Sequence, residues 1–224
     1  MHVCLFDIDG TLLNSGGAGQ AAMEAAIAEL FAADRPVEGI STAGRTDRGI
    51  TTELFDYYGV ELTPERWQQF VECYLMHLPR HLSGRSGLVL PGVVELLGAL
   101  SLRDDILLGL LTGNFRDGAR LKLEHFELAQ HFRFGAYGDD HHDRDDVARI
   151  ALREVEQIHP GEVDLERVWV IGDTPADIQC ARAIGAKAVA VATGVYPYEE
   201  LQARQPDFLF ADFSDPAGVL ALWS

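Results

Sequence analysis

The sequence predicts an α/β protein with a Rossmann-like, doubly wound parallel sheet and an inserted α-helical domain. In the second half of the chain, short and almost wholly apolar runs alternate with segments of helical spacing, as in a parallel sheet covered by helices on both faces. Residues 20–81, in contrast, show helix signals and no convincing strand. The helical block is therefore expected to interrupt the chain of the sheet domain.

Two loose, polar stretches delimit the helical block. Residues 14–19 and residues 83–87 are rich in glycine and serine, a composition typical of flexible connections. We predict a core domain built from residues 1–14 and 88–224, and a helical domain of residues 15–87.

Local signals predict the elements in chain order. An apolar run at residues 3–6 predicts the first strand. Helical spacing predicts helices at residues 21–31 and 46–58, and Thr63 followed by Pro64 predicts the start of a third. The later predicted strands cover residues 106–111, 133–137, 168–171 and 188–191, and the helices between them cover residues 116–126, 145–157 and 175–184.

Composition narrows the class of protein. At 224 residues and 47% hydrophobic content, the chain can bury a sizeable core. Its formal net charge of −17 argues against nucleic acid or an anionic membrane surface as a partner. The three cysteines lie far apart, so neither a disulfide framework nor a zinc site is expected. No apolar run has membrane-spanning length and no secretory signal precedes Asp7, so we expect a cytoplasmic protein.

The most informative stretch is Asp7-Ile8-Asp9-Gly10-Thr11, directly after the first strand. Two carboxylates at positions i and i+2 would repel each other on one face of a strand, so a chain that keeps both is expected to use them. Asp7 is suited to attack phosphorus, but a carboxylate and a phosphate dianion repel, so such a site needs a cation such as Mg²⁺. Asp9 could protonate the leaving oxygen and later deprotonate water. A helix cap and a simple cation site are the alternatives.

Two later strands also end in polar residues. Thr112-Gly113-Asn114 offers a hydroxyl and the free N–H groups of a helix N-terminus to a phosphate, although an ordinary helix cap would look the same. Asp173 follows an apolar strand and is not placed to cap a helix, so it is a candidate metal ligand. Asp177, three residues after Thr174, also fits a capping box.

A charged loop at residues 139–146 lies between these strands. Its adjacent His141 and His142 could hold a transition metal, but a solvated loop accounts for them better. Arg144 is a cation at the start of a predicted helix, where the helix dipole favours an anion. Either it neutralises Asp7 and a bound phosphate, or it forms a surface ion pair.

Four features follow one another along the chain: Asp-x-Asp-Gly-Thr, a Thr after a strand, a basic residue and Gly-Asp-x-x-x-Asp. This combination resembles the haloacid dehalogenase-like hydrolase superfamily. Within that superfamily it resembles the phosphoglycolate phosphatase-like branch, which has a helical cap. The resemblance covers essentially the whole chain. It implies that Asp7 is the phosphoryl-accepting nucleophile, Asp9 the general acid and base, and Thr112 a phosphate ligand. It also implies that residues 15–87 form the cap, which closes over the site.

The resemblance further implies a Mg²⁺ ion held by Asp7, the Asp9 carbonyl and Asp173, with Asp177 in support. The basic position of this family is usually lysine. Neither of the two lysines in this chain falls in the corresponding interval, so the role is assigned to Arg144.

Substrate contacts are expected from both domains. In the core, the expected contacts are Gly10, Thr11, Gly113 and Asn114. In the cap, Arg45 is suited to a substrate carboxylate or a second phosphate, although a surface salt bridge accounts for it equally well.

The function expected from the resemblance is Mg²⁺-dependent hydrolysis of a small phosphomonoester, phosphoglycolate-like or a sugar phosphate, through an aspartyl-phosphate. A β-phosphoglucomutase-like phosphotransferase is disfavoured, because such mutases tend to carry a cap-hinge histidine where this chain has Gly19. A protein that binds a phospho-ligand without turnover is the non-enzyme alternative. The expected partner is a small phosphorylated metabolite, with no nucleic acid and no membrane, and the sequence leaves the oligomeric state open.

Overall fold

The structure, a computed structural model, describes residues 1–33, 35–158 and 161–223. Its strands are β1 (His2–Phe6), β2 (Leu13–Asn14), β3 (Leu88–Val89), β4 (Ile106–Leu111), β5 (Phe134–Ala136), β6 (Val168–Gly172), β7 (Lys187–Val191) and β8 (Phe208–Phe210). Its α-helices are α1 (Ala18–Phe31), α2 (Asp47–Tyr58), α3 (Pro64–Ser83), α4 (Val93–Ser101), α5 (Arg116–His125), α6 (Arg144–Ile158), α7 (Pro175–Ile184), α8 (Tyr198–Ala203) and α9 (Pro216–Leu220).

One parallel sheet carries the strand order β5-β4-β1-β6-β7-β8, which confirms the predicted doubly wound architecture. The chain first builds one side of β1 with β4 and β5, then the other side with β6, β7 and β8, so the strand order reverses at β1. Phe6 pairs with Leu110 on β4 and with Ile171 on β6. The residues that follow these three strands therefore emerge at the same edge, at the switch point where such sheets bind ligands.

Alternating side chains of β1 enter two separate apolar cores. Cys4 and Phe6 pack in one cluster with α4 and α5, whereas Val3 and Leu5 pack on the opposite face with α6 and α7. Burial on both faces explains why the strands are almost wholly apolar.

The helices α1, α2 and α3 share a third apolar cluster outside the sheet. The hydroxyls of Thr46 and Thr63 cap α2 and α3, so the predicted starts of both helices are confirmed. Phe115, just before α5, belongs to the same cluster and packs edge-on against Trp67 and Tyr74 of α3. The helical block is thus packed against the core on the side of the site.

The two connections between the helical block and the sheet run side by side. β2 and β3 pair antiparallel, with Leu13 opposite Val89 and Asn14 opposite Leu88. A division of the chain at residues 15–87 stays a prediction, supported by this short ladder and by the separate apolar cluster.

Every predicted strand and helix is present, with ends shifted by a few residues at most. The sequence does not predict α8, β8 and α9, which have six, three and five residues and are too short to show a period. Among the described residues, no helix is both long and apolar enough to cross a bilayer.

Candidate active site

Residues that follow three different strands line one cavity of about 350 Å³. Asp7 follows β1, Asn114 follows β4 and Asp173 follows β6. Arg144, the first residue of α6, and Lys122, within α5, also line this cavity. Three of the carboxylates that the sequence predicts, Asp7, Asp9 and Asp173, therefore share one pocket with the predicted cation Arg144, whereas Asp177 does not line it.

Asp7 is a buried carboxylate with a fixed set of neighbours. Its backbone N–H donates to the Ile171 carbonyl at 2.9 Å, and its side chain is 5% exposed. Burial raises the pKa of Asp7 to about 6, while the charge of Arg144 and a hydrogen bond from Thr112 act in the opposite direction. A carboxylate held in this way is poorly solvated and suited to act as a nucleophile.

Arg144 lies between two carboxylates. Its Nη2 is 2.6 Å from Asp177 Oδ1 and 3.4 Å from Asp7 Oδ1. Because Arg144 is only 6% exposed, the interpretation as a surface ion pair is wrong. Within the described chain its buried Nε has no hydrogen-bond partner, so a donor is left for a ligand oxygen.

Asp173 is enclosed by glycines and held by Thr11. The Thr11 hydroxyl donates to Asp173 Oδ1 at 2.9 Å. At Gly10, where φ is +84°, a Cβ would lie 2.4 Å from Asp173 Oδ2, and at Gly194 it would lie 1.7 Å away, so neither position accepts a side chain. Thr11 is fully buried and does not line the cavity, so the structure places it against Asp173 and not against a substrate as predicted.

The residues present fit a hard divalent cation. Asp7, Asp173 and Asp177 offer carboxylate oxygens that lie within 4.8 Å of one another. Burial, and then the neighbouring carboxylates, raise the pKa of Asp173 well above its ordinary value, and a cation would relieve that repulsion. Asp177 is the least available of the three, because its Oδ2 accepts from the N–H and hydroxyl of Thr174 and its Oδ1 from Arg144. It forms the capping box and also supports Arg144.

A second group of possible metal ligands, and the two histidines considered from the sequence, lie outside this cavity. Glu29, Cys73 and His77 come together on α1 and α3, where a 2.8 Å hydrogen bond between His77 Nε2 and Glu29 Oε2 accounts for their contact. His141 and His142 lie in the loop before α6 and belong to no ligand group in the part of the chain that the structure describes.

Thr112 and Gly113 have different relations to the cavity. Thr112 is fully buried, does not line the cavity, and bonds to Asp7 and Asn114. The predicted phosphate ligand therefore contacts Asp7, the predicted nucleophile, in this structure. Gly113 lines the cavity, and a Cβ there would lie 2.0 Å from the Arg45 carbonyl oxygen, so it allows the helical block to approach closely.

A network around Asp9 contains a residue that the sequence did not point to. Lys122 Nζ lies 2.5 Å from Asp9 Oδ2 and 2.5 Å from Asn114 Oδ1. Asn114 Nδ2 donates to Asp9 Oδ2 at 2.9 Å. Burial acts to raise the pKa of Asp9, but the charge of Lys122 and hydrogen bonds from Lys122, Asn114 and Ser15 keep that pKa below its ordinary value.

Lys122 could have been found from its position in α5. It is 4% exposed and shares the inward face of the helix with Ala119 and Leu123. A lysine at a core-facing position of an amphipathic helix is unusual and needs a buried partner.

The start of α2 closes the cavity from the side of the helical block. Asp47 donates its N–H to the Gly113 carbonyl at 2.6 Å, and its Oδ2 accepts from the Phe115 N–H at 2.8 Å. The Thr46 hydroxyl donates to the His142 carbonyl at 3.1 Å. These bonds join α2 to the loops that follow β4 and β5.

Arg45 satisfies parts of both interpretations from the sequence. It lines the cavity, as a substrate-binding residue would. Its guanidinium also forms an ion pair with Glu53 and hydrogen bonds to the carbonyls of Ser41 and Gly49.

The family model of the haloacid dehalogenase-like hydrolases matches residues 4–191 of the chain. The chain belongs to this hydrolase family. It is 29% identical to the phosphoglycolate phosphatase of Rhodospirillum rubrum, in an alignment that covers 94% of this hydrolase and 87% of that protein. It is 24% identical to the phosphoglycolate phosphatase of Escherichia coli K12, in an alignment that covers 97% of this hydrolase and 91% of that protein.

The fold of this hydrolase is also that of solved structures. CbbY from Rhodobacter sphaeroides, solved in complex with phosphate, superposes with a TM-score of 0.74 at 20% identity, covering 96% of each chain. A hydrolase from Pseudomonas syringae superposes with a TM-score of 0.73 at 23% identity, covering 99% of this chain and 98% of that one.

The buried carboxyl of Asp47 predicts a pH dependence of stability. Burial raises its pKa from 3.8 to about 7, so the folded state binds a proton more tightly than the unfolded state, and stability falls as pH rises between these values. Asp47→Asn removes the ionisation and keeps an oxygen that accepts from Phe115. We expect the variant to be more stable than wild type by roughly 1–3 kcal/mol at pH 8. The difference should vanish near pH 4, as measured by urea unfolding without added metal.

The exposed Asp104, changed to Asn, is the matched control and should follow the wild-type pH dependence. Equal stabilities of Asp47→Asn and wild type at every pH would show that the Asp47 carboxyl carries no burial penalty.

Proposed function

We propose that this hydrolase is a Mg²⁺-dependent phosphatase that hydrolyses a small phosphomonoester through an aspartyl-phosphate on Asp7. One observation carries the proposal: the buried Asp7 carboxylate has a possible cation ligand, Asp173, within 4.8 Å on one side and the Arg144 guanidinium at 3.4 Å on the other. An anionic phosphoryl group needs such compensation before an anionic nucleophile can reach it. The names of the phosphoglycolate phosphatases among the relatives support a phosphomonoester substrate.

The proposed reaction has two displacements at phosphorus. In the first, Asp7 forms a bond to phosphorus while the bond to the leaving oxygen breaks and Asp9 gives that oxygen a proton. In the second, Asp9 takes a proton from water, the water oxygen bonds to phosphorus, and Asp7 leaves. Arg144 balances the negative charge in both steps. Mg²⁺, held by Asp7, Asp173 and the Asp9 carbonyl, would supply positive charge next to the phosphoryl oxygens.

The helical block, residues 15–87, is proposed to be the cap that covers the leaving group. Support comes from α2, which closes the cavity through Asp47 and places Arg45 at its wall. Gly10, Gly113 and Asn114 line the cavity from the core and are proposed to contact the substrate. A small, phosphoglycolate-like or sugar phosphate suits the volume of about 350 Å³.

Removal of the nucleophile is the primary test. Asp7→Asn should lower Mg²⁺-dependent phosphate release from p-nitrophenyl phosphate by about 10³-fold or more, since no phosphoenzyme can form. EDTA should abolish the wild-type activity, and Asp104→Asn should keep it. Equal release by wild type and Asp7→Asn would contradict the proposal. If wild type releases no phosphate from this ester or from a broad panel of phosphometabolites, the phospho-ligand-binding alternative is supported.

Removal of the acid tests the role of Asp9. Asp9→Asn has no proton to transfer, and an alkoxide leaving group needs that proton far more than a nitrophenolate does. We expect kcat/KM to fall by about 10²–10⁴-fold for phosphoglycolate and much less for p-nitrophenyl phosphate. The same loss for both substrates would show that Asp9 does not protonate the leaving oxygen.

A further inference from the structure

Lys122 is a charged residue of the cavity to which the proposed mechanism gives no role. It is one of only two lysines in the chain and is 4% exposed. A buried ammonium is retained at a cost in solvation, which only close and well-aligned anionic or polar partners can offset.

The contacts of Asp9 are divided unequally between its two oxygens. Oδ2 accepts from Lys122 Nζ at 2.5 Å and from Asn114 Nδ2 at 2.9 Å. Among the residues that the structure describes, Oδ1 has only the Ser15 hydroxyl as a partner, at 3.4 Å, a long and therefore weak hydrogen bond. One oxygen of the carboxyl group is thus held by two strong donors, and the other is the oxygen left to meet a ligand in the cavity.

The ammonium is itself held in place. Besides Asp9, it donates to Asn114 Oδ1 at 2.5 Å, and Asn114 Nδ2 is bonded to Thr112 Oγ1 at 2.8 Å. At the connection to the helical block, a Cβ on Gly19 would lie 3.3 Å from Lys122 Nζ, so the absence of a side chain there leaves room for the ammonium.

We propose that Lys122 is a positioning residue: together with Asn114 it holds Oδ2 of Asp9, so that Oδ1 faces the leaving oxygen of the substrate. The inference rests on the proposed phosphatase function. The proton moves from Asp9 Oδ1 to the leaving oxygen in the first displacement and returns to Asp9 from water in the second. Lys122 keeps its three protons throughout and acts only through Asp9.

A double-mutant cycle tests this role, because two residues that act as one unit do not lose activity additively. Lys122→Met keeps the length of the side chain and removes its charge and donors. We expect kcat/KM for phosphoglycolate, whose alkoxide leaving group needs the proton from Asp9, to fall by about 10- to 100-fold, the loss typical of a misplaced catalytic group. In the Asp9→Asn background, Lys122→Met should cause no further loss. Lys122→Arg, which keeps the charge and donors, should recover part of the activity.

Lys187 provides the matched control. It is the other lysine, begins β7 at the opposite edge of the sheet from the cavity, and pairs with Glu166. Lys187→Met should therefore keep wild-type kinetics. Circular dichroism and the thermal midpoint of each variant identify any failure to fold, and Lys122→Gln replaces Lys122→Met in the cycle if the latter does not fold.

The proposal is overturned if Lys122→Met keeps wild-type activity, or if it lowers activity by the same factor in the wild-type and in the Asp9→Asn background. The second result would mean that Lys122 acts on the substrate or on the fold independently of Asp9, while the proposed phosphatase function stands. Inactivity of wild type, equal to that of Asp7→Asn, would instead overturn the proposed function and this inference with it.

Discussion

Repulsion between carboxylates is the constraint on which the arrangement of this site depends. Asp7, Asp9, Asp47 and Asp173 line one small cavity, and Asp177 lies within 4.8 Å of Asp7 and Asp173. Four of these five residues are buried. The cationic side chains placed directly on these carboxylates are Arg144 and Lys122. If all five acids were ionised, the two cations would leave an excess of three negative charges. Burial is the main cause of the raised pKa values of Asp7, Asp47 and Asp173, and neighbouring carboxylates raise these pKa values further.

The two cations divide the site into two halves with different chemistry. Arg144 forms ion pairs with Asp7 and Asp177, on the side where the acidic residues can hold a divalent ion. Lys122 pairs with Asp9 on the side of the helical block, next to Gly19 of α1. The two carboxyl groups therefore differ in pKa, because burial raises the pKa of Asp7 and Lys122 keeps the pKa of Asp9 below its ordinary value.

The sequence predicts the fold and the strand-end residues because both depend on local patterns. Apolar runs that end abruptly in Asp7, Thr112 and Asp173 give the position of the site, and the parallel sheet then brings these ends together. Which way a short side chain turns depends on tertiary neighbours, so the burial of Thr11 and Thr112 against Asp173 and Asp7 could not be predicted. Lys122 was missed for a related reason: a long side chain reaches Asp9 from the middle of a helix more than a hundred residues away.

We propose that acidic groups from different strand ends hold one divalent cation beside Asp7. This binding can be measured by titration calorimetry with Mg²⁺ on wild type, Asp173→Asn and Glu29→Gln, since Glu29 belongs to the other ligand group, on α1 and α3. We expect one Mg²⁺ per chain for wild type and Glu29→Gln, and loss of that binding in Asp173→Asn. Unchanged binding by Asp173→Asn, or loss of binding in Glu29→Gln instead, would show that the cation is not held beside Asp7.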